Sequence, residues 1–132
     1  MSDSLFSDIS SRTAKLALDG LSLRQQAISR NLANIDTPGF KAQTVNFQET
    51  LTRMVDKGNL LPLTITDESH LTTAASETGF SLMMRPGGSS RADENNVDVD
   101  VEMTDISETG VQYQAVEQAI SKKLMLLKTL AR

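Results

Sequence analysis

The chain has 132 residues, of which 39% are hydrophobic and 4% aromatic, with no Trp, no Cys and a net charge of −4. That length suggests one domain, and so little aromatic content argues against a large globular core, so burial is expected along helices rather than in a ball. The acidic balance argues against a nucleic-acid footprint, which needs a basic face, and the lack of Cys excludes disulfides and thiolate metal sites.

An amphipathic helix is expected over about 4–34. A 4-3 spacing picks out Ala14, Leu18, Leu21, Gln25, Ile28, Leu32 and Ile35 as one seam. A second row, Ile9, Thr13, Leu16, Gly20, Leu23 and Ala27, is broken by Thr13 and Gly20. Asp3 or Ser4 could cap the start, and the Ser-rich opening could fray. The helix should stop near Pro38, which lacks a backbone donor and pushes Thr37 out of the helical region. Pro38-Gly39 suits the centre of a type II turn, with Gly supplying the positive φ.

The middle, about 42–100, reads differently. Phe47, Leu51 and Met54 suit a short helix. Leu61-Pro62-Leu63-Thr64-Ile65 and residues 80–84 suit short strands, and residues 85–90 a flexible loop. Val97, Val99 and Val101 alternate with Asp98, Asp100 and Glu102, which reads as a half-exposed extended strip. This middle is too polar for a sizeable core and is expected to be a small β-containing insert or a partly mobile arm.

A second long helix is expected from about Val101 to Ala131. Residues 93–108 hold seven acids and no base, and from Thr109 onward there are four bases and one acid. That polarity complements the dipole of one helix, though a solvated charged face would look the same. The 4-3 spacing gives Met103, Ile106, Gly110, Tyr113, Glu117, Ile120, Leu124, Leu127 and Ala131, flanked by Val116, Ala119, Leu126 and Leu130. Each terminal helix would run about 45 Å at ~1.5 Å per residue. Matched helices at the two ends suggest an antiparallel, coiled-coil-like hairpin. Polar residues and glycines in the seams leave two readings: apolar surface kept for other subunits, or an ordinary hairpin with loose seams.

Chemistry is hard to find. Residues 93–102 tempt as a calcium loop, but registers starting at Asp93 or Asp98 lack the Gly at position six and the Glu at position twelve. His70 is the single histidine, with no nucleophile elbow beside it, and reads as surface structure. No phosphate-binding glycine motif occurs. An enzyme is therefore not expected, and no catalytic, cofactor or metal residues are assigned. No secretory signal and no run of about 18 apolar residues is visible. Composition alone would place the chain in the cytosol unless a dedicated export route reads its N-terminus.

One segment is more specific. N-L-A-N-I-D-T-P-G-F-K-A over 31–42 resembles the signature of flagellar basal-body rod, hook and related axial proteins. The match falls on Asn31, Ala33, Asn34, Thr37, Pro38, Gly39, Phe40 and Lys41. The run 95–103, then Tyr113-Gln114-Ala115, Lys123-Leu124 and Leu127-Lys128, resembles the C-terminal region of proximal rod proteins, and Ser69-His70-Leu71 resembles a middle segment of the same group. The short chain, lacking a hook-type insert, points to a proximal rod type. Glu94 stands where Gly is common in the family, and Thr109-Gly110 where Asn is frequent.

The resemblance implies a structural subunit that packs its terminal helices in the inner tube of the flagellar rod. It implies other rod and basal-body proteins, copies of itself and the flagellar type III export apparatus as partners, with no nucleic acid and no membrane span. It implies a basal-body location in the periplasm-spanning rod, reached without a cleaved signal. The expected organisation is residues 1–41 and 101–132 as an axial core, with 42–100 as the insert. Leu18, Leu21, Ile28, Leu32, Met103, Ile106, Tyr113, Ile120, Leu124 and Leu127 are expected as the assembly positions of the two helices, with Leu18, Leu21, Ile28, Ile120, Leu124 and Leu127 carrying the inter-helix burial. Asn31 and Asn34 are expected to cap backbone groups at the turn. A soluble coiled-coil adaptor or export chaperone is the alternative.

Overall fold

The first helix, α1 (Ile9–Ala33), is built mostly from Leu, Ala, Arg, Lys and Gln, which lose little side-chain freedom in a helix. It stops where the sequence says it must, ahead of Pro38. The computed structural model describes residues 9–56, 79–88 and 90–131. The expected cap at Asp3 or Ser4, the strand around Leu61–Ile65, His70 and its neighbours lie outside them. Among the described residues follow β1 (Gln43–Val45), α2 (Phe47–Asp56), β2 (Leu82–Met84) and α3 (Val99–Leu130). The fold is mainly α, with long terminal helices and a small middle, as the patterning predicts.

α3 has 32 residues, about 48 Å at ~1.5 Å per residue. It begins two residues earlier than expected, so the Val-Asp alternation is not an extended strip. The reason is local. Asp98 takes the N-cap position, its side chain accepting from Asp100 N at 2.9 Å and Val101 N at 3.5 Å. Asp100 and Glu102 then lie in the first turn and Lys128 in the last, matching the helix dipole.

α1 and α3 pair antiparallel, and three contacts give the register. Lys123 meets Ser10 at one end, Arg24 meets Gln112 midway, and Asn31 meets Glu102 at the other end. β1 and β2 form a two-stranded antiparallel sheet with Gln43 opposite Met84 and Val45 opposite Leu82.

The core is small and sits on one side of α1: Ala17, Leu21, Ala27, Val45, Phe47 and Phe80. Phe47 and Phe80 stack with ring centroids 5.6 Å apart and 15° between planes. They seat on Gly20. A Cβ there would lie 2.7 Å from the Phe80 ring and 2.8 Å from the Phe47 ring. The glycine that looked like a broken seam is the notch that lets the insert approach α1.

Candidate functional site

The signature segment forms a joint. Beyond α1, Thr37 N donates to Asn34 O at 3.1 Å and Phe40 N to Thr37 O at 3.3 Å, with Gly39 at φ 74°. These are the closing bond and the positive φ of the expected Pro-Gly turn. The Asn34 amide donates to Arg30 O at 2.8 Å and its Oδ1 accepts from the Thr37 hydroxyl at 3.2 Å, so Asn34 closes the helix end. Asn31 does something else, correcting the expectation that it caps the turn. Its Nδ2 donates to Gln43 O at 2.8 Å and its Oδ1 accepts from Gln43 N at 2.8 Å. It clamps the strand that leaves the turn.

The other half of the joint is the acidic run before α3. Asn95 is fully buried. Its Nδ2 donates to the carbonyls of Asn34, Ile35 and Thr37 at 2.9, 3.1 and 2.8 Å, and its Oδ1 accepts from Val97 N at 2.8 Å. The turn carbonyls just past α1 are thereby gathered by a side chain 60 positions away in the chain from Ile35. Around it, Gly39 N donates to Asp93 O at 2.8 Å, Ala42 N to Asn96 Oδ1 at 2.6 Å, and the Lys41 ammonium to Glu94 O at 2.6 Å. The Arg91 guanidinium also donates to Ile35 O. Glu94 adopts φ 65°, the left-handed region where an L side chain is strained. A Gly at this place would adopt that φ without strain.

Below the joint, the helix pair is polar. Glu102 is fully buried, accepting from Asn31 Nδ2 at 3.1 Å and from Arg85 Nη1 at 2.7 Å. Arg85 also reaches Asp105 at 3.1 Å, while Arg24 reaches Asp105 at 3.6 Å and Glu108 at 3.7 Å. The two guanidinium groups thus form a ladder with three acids of α3. A carboxylate with no exposure is tolerated because its oxygens are hydrogen-bonded and a guanidinium faces it.

Further along, an open apolar groove of about 380 Å³ lies between the helices, lined by Ala14, Leu18, Ala119, Ile120 and Leu124 together with Lys15 and Lys123. Beyond it the last turns of α3 are bare: Met125, Leu126 and Leu130 are 71%, 64% and 83% exposed.

The structure brings Asn31, Asn34, Thr37, Gly39 and Lys41 together at the joint, while Ala33 and Pro38 stay exposed and Phe40 is half-buried. Leu21 and Ile28 are buried, and Leu18, Leu32, Ile106, Ile120 and Leu127 half-buried. Leu124 is exposed, a correction to the inter-helix burial expected of it, and Met103 and Tyr113, expected as assembly positions, are exposed as well. The inward row of α3 runs instead through Glu102, Ile106, Thr109, Val116 and Ile120. Hydrophobic spacing could not find it, because Glu102 and Thr109 are polar. The roles of Asn95, Asn96 and Arg85 were missed as well, and the one available signal was an Asn pair just ahead of a helix cap. Among the described residues no cluster of His, Cys, Asp and Glu is arranged to hold a metal, and no helix is long and apolar enough to cross a membrane.

Comparison with known proteins gives a consistent answer. Residues 12–41 match the family described as flagella basal body rod protein. The chain is 34% identical over 113 residues to the flagellar basal body rod protein FlgB of Bacillus subtilis (strain 168), covering 86% of this chain and 85% of that one. It is 30% identical over 126 residues to the FlgB protein of Escherichia coli (strain K12), covering 89% and 88%. It is 32% identical over 115 residues to that of Aeromonas hydrophila, covering 86% of each.

Proposed function

Because this chain belongs to the flagellar basal body rod protein family and is a structural subunit of that rod, we propose that it builds the proximal rod by packing its terminal helices against those of neighbouring subunits. Its family places it at the flagellar basal body, assembled with other rod and basal-body proteins. Copies of itself are further partners in this reading, and the flagellar type III export apparatus delivers it without a cleaved signal. Residues 1–41 and 101–132 act as the axial core, and residues 42–100 as the insert.

The observation that carries this reading is the unequal hairpin. One end is sewn shut by Asn31, Asn95 and Glu102. The other end leaves Leu124, Met125, Leu126 and Leu130 exposed, the kind of apolar surface that marks an interaction site. The signature residues Asn31, Ala33, Asn34, Thr37, Pro38, Gly39, Phe40 and Lys41 serve as the joint that turns the chain from the axial helix into the insert. The bare helix ends are completed by neighbours in a non-closing, head-to-tail contact. Ordering them costs conformational entropy, which restrains polymerisation of free monomers.

Circular dichroism combined with light scattering tests this. The dilute chain is expected to be monomeric, with helicity below that of the full hairpin and a gain on assembly. A stable, fully helical dimer in dilute solution would instead support a soluble adaptor, the reading the comparisons do not favour.

A further inference from the structure

We propose that the groove between α1 and the second half of α3 receives the first turns of α3 from a second copy of this chain. The inference rests on the rod-subunit reading and names the partner of its bare helix surface. The groove is lined by Leu18, Ile120 and Leu124 together with Lys15 and Lys123, whose ammonium also donates to the Ser10 hydroxyl on α1. The complementary shape lies at the opposite end of the same molecule. Val99 and Met103 sit one turn apart on α3, 44% and 52% exposed, with exposed Asp98 and Asp100 beside them. This is an apolar stripe edged by acids, matching an apolar groove lined in part by lysines.

The charge map of the chain supports that pairing. Of the seven acids in residues 93–108, Glu102, Asp105 and Glu108 are held by Arg24 and Arg85, which leaves the acids beside the stripe, Asp98 and Asp100, facing outward, while four bases against one acid follow from 109 onward. Like ends of two copies repel, and unlike ends attract. Because groove and stripe lie at opposite ends of the hairpin, the contact is heterologous and extends rather than closes.

Cysteine cross-linking tests it, since the chain has no Cys of its own. Asn31 lies beside Glu102, which puts Asp100 near the end of α1 and Lys15 about 18 residues, ~27 Å, further up the hairpin. A disulfide needs Cα atoms within about 7 Å, so Lys15→Cys with Asp100→Cys in one chain can join only between copies. Isolated basal bodies carrying this variant are expected to yield disulfide-linked dimers and larger multiples, which disappear when either substitution is made alone. Variant chain present in basal bodies but monomeric under oxidation overturns the proposal while leaving the rod reading standing. Absence of the unaltered chain from basal bodies overturns the rod reading itself.

If the double-cysteine chain does not enter basal bodies, charge reversal decides. Lys15→Glu with Lys123→Glu is expected to lose assembly, and Asp100→Lys in the same chain to restore it. Assembly unaffected by the reversal, or not restored by Asp100→Lys, overturns the proposal.

Discussion

Asn95→Ala is the sharpest probe of the joint. The native side chain spends two N–H donors on three carbonyls just past α1 and one acceptor on Val97 N. Three hydrogen bonds at about 1 kcal/mol net each come to ~3 kcal/mol. Some carbonyls will find water, because Thr37 is exposed and Asn34 and Ile35 are half-exposed. The Val97 amide will not, since Val97 is buried. The expected loss is therefore about 2–3 kcal/mol, a large share of the ~5–15 kcal/mol typical of a domain. Urea titration followed by circular dichroism measures it. Asn95→Asp separates the contributions, keeping the acceptor for Val97 but aiming a carboxylate at three carbonyls, and should be worse than Ala. Asn96→Ala loses the bond from Ala42 N and, because Ala42 is fully buried, should cost about 1–3 kcal/mol. An Asn95→Ala chain within ~0.5 kcal/mol of the parent, or an Asn95→Asp chain more stable than Asn95→Ala, would refute this account of the joint.

Gly20→Ala should lower the melting temperature despite the better helix former, because the ~1 kcal/mol propensity gain is outweighed by overpacking of about 1–3 kcal/mol against the Phe47 and Phe80 rings. Glu94→Gly should raise it, since relief of the left-handed backbone at φ 65° is worth up to about 1 kcal/mol. Arg85→Ala should destabilise by ~3 kcal/mol in urea titration, because it strips the charge partner from buried Glu102. Glu102→Leu should cost less than Arg85→Ala, because Arg85 keeps Asp105 and Asn31 keeps Gln43; the reverse order would show that the carboxylate itself, not its pairing, matters most.

Much of this fold was legible in the sequence, and the parts that were not share a cause. Pro38 and Gly39 announced the end of α1, and Phe47, Leu51 and Met54 announced α2, because backbone constraint and period leave a local signature. The start of α3 looks extended in sequence because Val-Asp alternation has period two, yet Asp98 acts as a cap, and the helix dipole rewards the acids behind it. β2 falls inside the strand expected over 80–84, while the equally short β1 carries no apolar run to mark it, its Gln43 and Thr44 being polar. The inward row of α3 was displaced onto Met103, Gly110 and Leu124 because apolar spacing cannot see a buried Glu102 or Thr109. Gly20 looked like a defect because its partners, Phe47 and Phe80, lie far along the chain. Asn95 was unreadable for the same reason: its role lies in carbonyls brought to it only by the finished fold.

The central claim is that the uncovered end of the hairpin is an assembly surface. Leu124 is 47% exposed, so Leu124→Asp should leave the chain folded and soluble. In a strain whose only copy carries that change, purified basal bodies examined by electron microscopy are expected to lack complete rods, with the chain recovered in soluble form. Normal rods and full motility in that strain would contradict the account.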